Sequence, residues 1–212
     1  MDMKTLIEAW RLAPALHELR QPASPEAIAA VEQALAYPLP AELRALYLFS
    51  DGGGLVGGNF SYAPLSSPDG LSLATSSAQL REWKWPIPDE VLVFGGNGCG
   101  HHFGLWMPPS AAPQLPQPIV EIGEIFEPGC MALAGSSLSA FLLTHTSYHL
   151  LLEGSVAALD RLGVPAALRS DDPDDETFLA LRNWADPALV AHDPSPYECG
   201  YDAPALRAIL AQ

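Results

Sequence analysis

The residues best suited to metal or nucleophilic chemistry fall in two groups: Cys99, His101 and His102 stand together, and His145 and His149 are four apart. Imidazole nitrogen and thiolate sulfur are the donors a zinc ion gathers in near-tetrahedral sets, and histidines four apart share one helix face. A site joining the groups would need the helix carrying His145 and His149 to lie over the segment carrying the other three. Neighbours on a strand point to opposite sides, so His101 and His102 cannot easily face one ion. The His145-x-x-x-His149 pair also departs from the metalloprotease pattern, which needs glutamate where Thr146 stands. Hydrogen-bonded or exposed imidazoles are the leading reading of the four histidines, and a metal site is the lesser one.

The run from Gly95 to Gly100 follows an apolar strand as a phosphate-binding loop would. A phosphate cradle also requires a following helix whose N-terminus points at the anion, and His101 to Trp106 does not look helical. Gly-Lys-Ser/Thr is missing too, so the run reads as a hairpin turn. For covalent catalysis, Gly135-Ser136-Ser137-Leu138-Ser139 fails the Gly-x-Ser-x-Gly elbow because position 139 is serine. It reads as a helix cap. Cys99 beside two histidines has the ingredients of a nucleophile, but a lone turn cysteine is ordinarily an inert thiol.

These groups must be positioned by a chain of 212 residues, 49% hydrophobic, long enough for a sizeable core. Its 25 Asp and Glu outnumber 10 Lys and Arg, for a net charge of −15. Such a chain repels phosphate backbones and anionic membranes and suits a basic partner. The beginning of the sequence lacks the apolar core of a secretory signal. The longest apolar stretch, Leu138 to Leu152, is interrupted by His145, Ser147 and His149, so no membrane span is expected. Cys99, Cys130 and Cys199 cannot all pair within one chain and lack CxxC spacing, which points to free thiols in a reducing, cytoplasmic setting.

Along the chain, Met3 to Glu18 has helical apolar spacing broken at Pro14. Ser24-Pro25-Glu26 is an N-cap, a first-position proline and a first-turn acid, opening a helix with Ile28, Val31 and Leu35 on one face. Pro40 opens another, carrying Leu43, Leu46 and Tyr47 and ended by Asp51-Gly52-Gly53-Gly54. Short apolar runs follow at Leu55–Val56, Asn59–Leu65 and Leu71–Ala74, then a short helix at Ser76–Glu82. Val91–Phe94, His101–Met107 and Ile119–Phe126 form a strand meander, with a proline-rich loop from Pro108 to Pro118. Leu133–Leu152 reads as a helix with Ser136 or Ser137 near its start. Beyond Gly154 the chain is acidic and mostly helical, with helices expected at Thr177–Trp184 and Pro204–Leu210. Residues 151–212 hold 11 acids and 4 bases.

The ordered set Ser24 to Glu32, Leu39-Pro40-Ala41-Glu42-Leu43-Arg44-Ala45-Leu46-Tyr47 and Asp51-Gly52-Gly53-Gly54 resembles the SUKH superfamily, the Smi/Knr-type proteins. The later strands and the helix containing Leu138 to Leu143 are similar to that family as well, so the likeness spans residues 24–145. It implies an α+β fold in which a twisted, mainly antiparallel sheet is packed by helices, and it implies no catalytic residues and no cofactor. Bacterial members look like immunity proteins that neutralise polymorphic toxins, often nucleases. Eukaryotic relatives act as regulators or scaffolds in cell-wall signalling.

The expectation is therefore a SUKH-like domain over residues 1–153 and an acidic helical extension over 154–212, acting as a non-enzymatic binder of a protein such as a basic toxin domain. A regulatory or scaffold module is the alternative. Contact candidates are Asp51 at the glycine turn, Trp83 and Trp85, and the acidic run Asp171, Asp172, Asp174, Asp175 and Glu176. Alternate positions on an extended segment would put both tryptophan rings on one face, which is either core or contact surface. The acidic run reads first as a solvated turn capping the next helix, with docking to a basic partner as its rival.

Overall fold

The computed structural model describes residues 2–55, 60–67, 70–85, 87–108, 115–123, 126, 129–192 and 200–210. Cys199, Val56, Asn59, much of the proline-rich 108–118 loop, and residues 124 and 125 at the end of the expected third meander strand lie outside these.

Helix α1 (Met3–Trp10) is capped by Asp2, whose carboxylate accepts from the Thr5 amide at 2.9 Å, and buries Met3, Leu6, Ala9 and Trp10. It stops before a single 3₁₀ turn at Pro14–Leu16, so the expected break occurs, and the chain passes into the two-residue strand β1 (Glu18–Leu19). Helix α2 (Pro25–Leu35) starts as its sequence dictates, the Ser24 hydroxyl accepting from the Ala27 amide at 3.1 Å. Helix α3 (Ala41–Phe49) follows, fastened to α2 by Glu32, which accepts from the Leu39 amide at 3.0 Å and from Arg44 at 2.8 Å.

Strands β2 (Gly53–Leu55) and β3 (Phe60–Tyr62), helix α4 (Ser76–Glu82), and strands β4 (Val91–Gly96), β5 (His101–Trp106), β6 (Ile119–Gly123) and β7 (Ala132–Gly135) complete the middle of the chain. The sheet runs β1 to β7 in sequence order with every pairing antiparallel, a seven-stranded meander. Helices α5 (Leu138–Leu152), α6 (Val156–Leu162), α7 (Asp175–Ala185), α8 (Pro187–His192) and α9 (Ala203–Leu210) finish it. The fold is α+β with a helical C-terminal part.

Alternation along the strands sorts the core into two layers. Leu92, Phe94, Phe103, Leu105 and Ile119 face a large cluster shared with α1, α2, α3, α5, α6 and α7. Val91, Val93, Trp106, Val120 and Ile122 face a smaller one closed by Leu80 of α4 and Leu206 of α9. Helix α5 is apolar on most of its circumference because α6 and α7 cover the side turned away from the sheet.

Several element boundaries depart from the sequence reading, among them Gly53 and Gly54, which open β2 where a helix-ending turn is expected. Gly95 and Gly96 belong to β4, not to a turn: a Cβ on Gly95 would stand 2.5 Å from the Ser61 carbonyl oxygen, so glycine is there for close strand approach at a register shift. Residues 133–135 form β7 instead of helix, since their backbone completes the ladder beside β6. Helix α5 therefore begins at Leu138, where Ser137 accepts from the Ala140 amide and the Glu42 carboxylate from the Leu138 amide at 3.0 Å. Helix α7 starts two residues before Thr177, because Asp174 and Thr177 form a reciprocal capping box.

Described residues after Gly154 contribute to both clusters, Leu206 to the smaller one. Leu159, Leu162, Val164 and Leu181 sit in the large cluster. The Asp186 carboxylate, 2% exposed, accepts from the Ser136 amide at 2.7 Å, the Ser136 hydroxyl at 2.5 Å and the Leu189 amide at 3.0 Å. Tyr201 pairs with Met131, each amide donating to the other carbonyl.

Candidate functional site

The β4–β5 turn is built by Asn97, whose side-chain oxygen accepts from the Cys99 and His101 amides at 2.8 and 3.1 Å, while Gly98 and Gly100 take positive φ. The turn delivers His101 to the face shared with Phe103. On β6, Glu121 follows Ile119 on the same face by the period of two, and its carboxylate oxygen lies 2.5 Å from His101 Nδ1. Room for the imidazole comes from Gly123, paired with His101, where a Cβ would come within 3.0 Å of the ring.

Helix α5 brings His145 over this strand face, its ring 6.2 Å from Phe103 and 4.5 Å from Phe141. Helix α7 closes the other side with Phe178, whose ring is 5.3 Å from His145 and 5.4 Å from Tyr148. Tyr148 donates its hydroxyl to the Pro173 carbonyl at 3.4 Å, holding the loop before α7. Between sheet and helices a crevice of about 580 Å³ remains, with His149, Asp175 and Leu179 at its lining.

Burial pushes the His145 imidazole down to about 4, with the nearby His149 adding to the effect, so His145 is neutral at pH 7. His149 is lowered by its own burial, against an opposing contribution from Glu153. A histidine joined to a carboxylate is the base-and-orienter half of a catalytic triad, yet the described lining of the crevice holds no serine, threonine or cysteine to act as nucleophile.

The two histidine and cysteine groups meet only in part. His101, His145 and His149 line one crevice, while His102 faces the opposite side of the sheet with its ring 5.1 Å from Trp85, and Cys99 is exposed at the turn. Among the described residues no three His, Cys, Asp or Glu side chains gather as a metal ion would need.

The contact candidates are dispersed. Trp83 ends α4 and is 56% exposed, Lys84 takes a positive φ, and Trp85 packs partly buried against the smaller cluster, so the two rings do not share one extended face. Asp51 holds the turn after α3 by accepting from the Leu65 amide at 2.8 Å. Asp171 and Asp172 are exposed before α7, Asp174 is its cap, and Asp175 and Glu176 occupy its first turn, Asp175 at the crevice. The acids stand on the large-cluster side of the sheet and the tryptophans on the other.

Sequence reasoning missed Glu121, Tyr148 and Phe178 as crevice residues. Glu121 carried a signal, being the single acid in the strand Ile119–Gly123 at an inward-facing position. Phe178 and Tyr148 gave none, since only the docking of α7 against α5 brings them together.

An antiparallel meander covered by helices on both faces defines an α+β domain. Residues 22–144 match the SMI1 / KNR4 family (SUKH-1), and the chain belongs to that family. It is a family of immunity- and regulatory-type domains that are generally non-enzymatic. Among curated proteins, none matches the chain. The family match ends inside α5, so Asn97, His101, Phe103 and Glu121 lie within it, whereas His145, Tyr148, His149, Asp175 and Phe178 lie beyond. Among the described residues no helix is long and apolar enough to cross a membrane.

Proposed function

We propose that this chain is a cytoplasmic immunity-type protein that captures a bacterial polymorphic toxin one to one and neutralises it. Residues 1–153 would carry the family domain and 154–212 an acidic helical extension built onto it. Family membership carries the reading. The net charge of −15 supports a basic toxin domain such as a nuclease, since complementary fields accelerate encounter and discourage wrong partners. The acids Asp171, Asp172, Asp174, Asp175 and Glu176 are the proposed steering surface, with Trp83 and Trp85 a second contact on the opposite face and Asp51 a contact only through the turn it holds.

The test uses the full chain as bait in lysate of its own source, followed by mass spectrometry and an activity assay of the retained protein. One stoichiometric partner whose toxic activity disappears at one equivalent supports neutralisation. A captured partner that keeps its activity, or several weakly held ones, moves the protein to the regulatory or scaffold class.

A further inference from the structure

We propose that the crevice between β5–β6 and α5–α7 is a socket for an arginine side chain of a basic protein partner, with Glu121 as its counter-charge. This inference rests on the partner-binding reading above and names the contact chemistry that reading leaves open.

Three features of the crevice converge on that occupant. First, the described lining contains two carboxylates, Glu121 at depth and Asp175 at the rim, and no lysine or arginine. Glu121 is only 8% exposed, and one of its oxygens is engaged by His101. An ionised carboxylate has about four lone-pair sites, so it retains capacity for a further charged donor. A cation there meets Glu121 in a desolvated setting, where attraction is stronger than at an open surface.

Second, the walls are aromatic. Phe103, Tyr148 and Phe178 come from three different elements, and the Phe178 ring stands 5.4 Å from Tyr148 and 5.3 Å from His145. Faces of such rings attract cations, arginine most often. Guanidinium is planar and weakly hydrated, stacks on rings and pairs bidentately with a carboxylate, whereas the compact, strongly hydrated ammonium of lysine does none of these as well. Third, His145, one of the three imidazoles that line the crevice, remains neutral at pH 7 and does not repel an incoming cation.

The occupant also fits the molecule's charge, because a chain at −15 selects basic surfaces and arginine is the basic residue enriched at interface cores. The volume of about 580 Å³ admits the side chain together with part of the loop that carries it.

The full chain, labelled with ¹³C and ¹⁵N, is titrated with N-acetyl-arginine-methylamide, with the neutral isostere N-acetyl-citrulline-methylamide, and with the lysine analogue. Saturable shifts of the Phe103, Tyr148, Phe178 and His145 ring resonances are expected with arginine. Citrulline should bind about tenfold or more weakly, as should arginine to Glu121→Gln, because a charge-assisted contact is lost. Phe178→Ala removes a wall without touching the His101–Glu121 pair and should weaken arginine binding as well, with amide shifts outside the crevice unchanged as the check on folding. No saturable shift, an equal response to citrulline or lysine, or arginine binding insensitive to both variants overturns the assignment. Capture of a toxin by a chain whose crevice ignores arginine would sink the socket and leave neutralisation standing. An arginine-filled crevice in a chain that neutralises nothing would do the reverse.

Discussion

Replacing Asp186 by alanine tests whether the C-terminal helices and the family domain form one cooperative body. This carboxylate is 2% exposed and serves three donors: the Ser136 amide and hydroxyl at the β7–α5 junction, and the Leu189 amide in α8. Hydrogen bonds to an ionised group contribute about 1.5–3 kcal/mol each, and a buried donor left without an acceptor costs about 1–3 kcal/mol. The three share one acceptor and do not add, so Asp186→Ala should cost about 3–5 kcal/mol, a large part of a typical domain's stability of about 5–15 kcal/mol. Asp186→Asn keeps one acceptor oxygen but turns an amide donor toward a donor, and should fall between the two. Urea unfolding at pH 7 should show a lower midpoint with an unchanged slope. Hydrogen exchange should show loss of protection at the Leu189 amide. A cost under about 1 kcal/mol with Leu189 still protected would refute the view that this carboxylate joins the two regions.

Acid should weaken the fold through His145: above its ordinary value of 6.5 it contributes nothing, and between 6.5 and about 4 the unfolded chain takes up a proton that the folded one refuses. Stability therefore falls as pH falls through that window, by roughly 3 kcal/mol from this group near pH 4, as measured by urea unfolding at several pH values beside NMR titration of the ring. His17, also lowered to about 4 by burial, acts in the same direction. Thr146→Val leaves the Trp10 indole N–H, which donates to the Thr146 hydroxyl at 3.0 Å in the core, without that acceptor and should cost about 1–3 kcal/mol in thermal or urea unfolding. Gly53→Ala should detach β1, because φ there is +132° and a Cβ would stand 2.2 Å from the Glu18 carbonyl oxygen, and exchange protection at the β1–β2 pairing should be lost. Neutralising Asp171, Asp172, Asp175 and Glu176 to their amides should slow toxin association about tenfold at low salt and flatten its salt dependence, with little change in dissociation, in stopped-flow or biosensor kinetics.

Local chemistry was legible wherever it was self-contained. Ser24-Pro25-Glu26 carries its own cap, ring constraint and first-turn acid, and α2 starts there. The strands of the central meander were visible from compact apolar runs, and the antiparallel α+β class followed from them and from the family likeness. Leu133–Gly135 was misread because a short apolar run satisfies either period, and the open edge of β6 decided in favour of a strand. Gly95 and Gly96 looked like turn residues because glycine serves both turns and close backbone approach, and only the neighbouring strand reveals which. Helices α6 and α8 escaped notice, being short and dependent on the core they complete.

The candidate site divides along the same line. That His101 and His102 face opposite ways followed from strand alternation alone, and the absence of the metalloprotease pattern followed from Thr146 standing where that pattern has glutamate. The helix capping of the acidic run was likewise written in the order of Asp174, Asp175, Glu176 and Thr177. Pairing His101 with Glu121, twenty residues away, required the β5–β6 register, and the aromatic walls required α7 to dock on α5 from outside the matched family segment. Sequence by itself determined the caps, the strand faces, the charge and the family, because those depend on neighbours a few residues apart or on composition. Tertiary structure alone decided the crevice, because packing brings together side chains on β5, β6, α5 and α7, and no local period records which surfaces will meet.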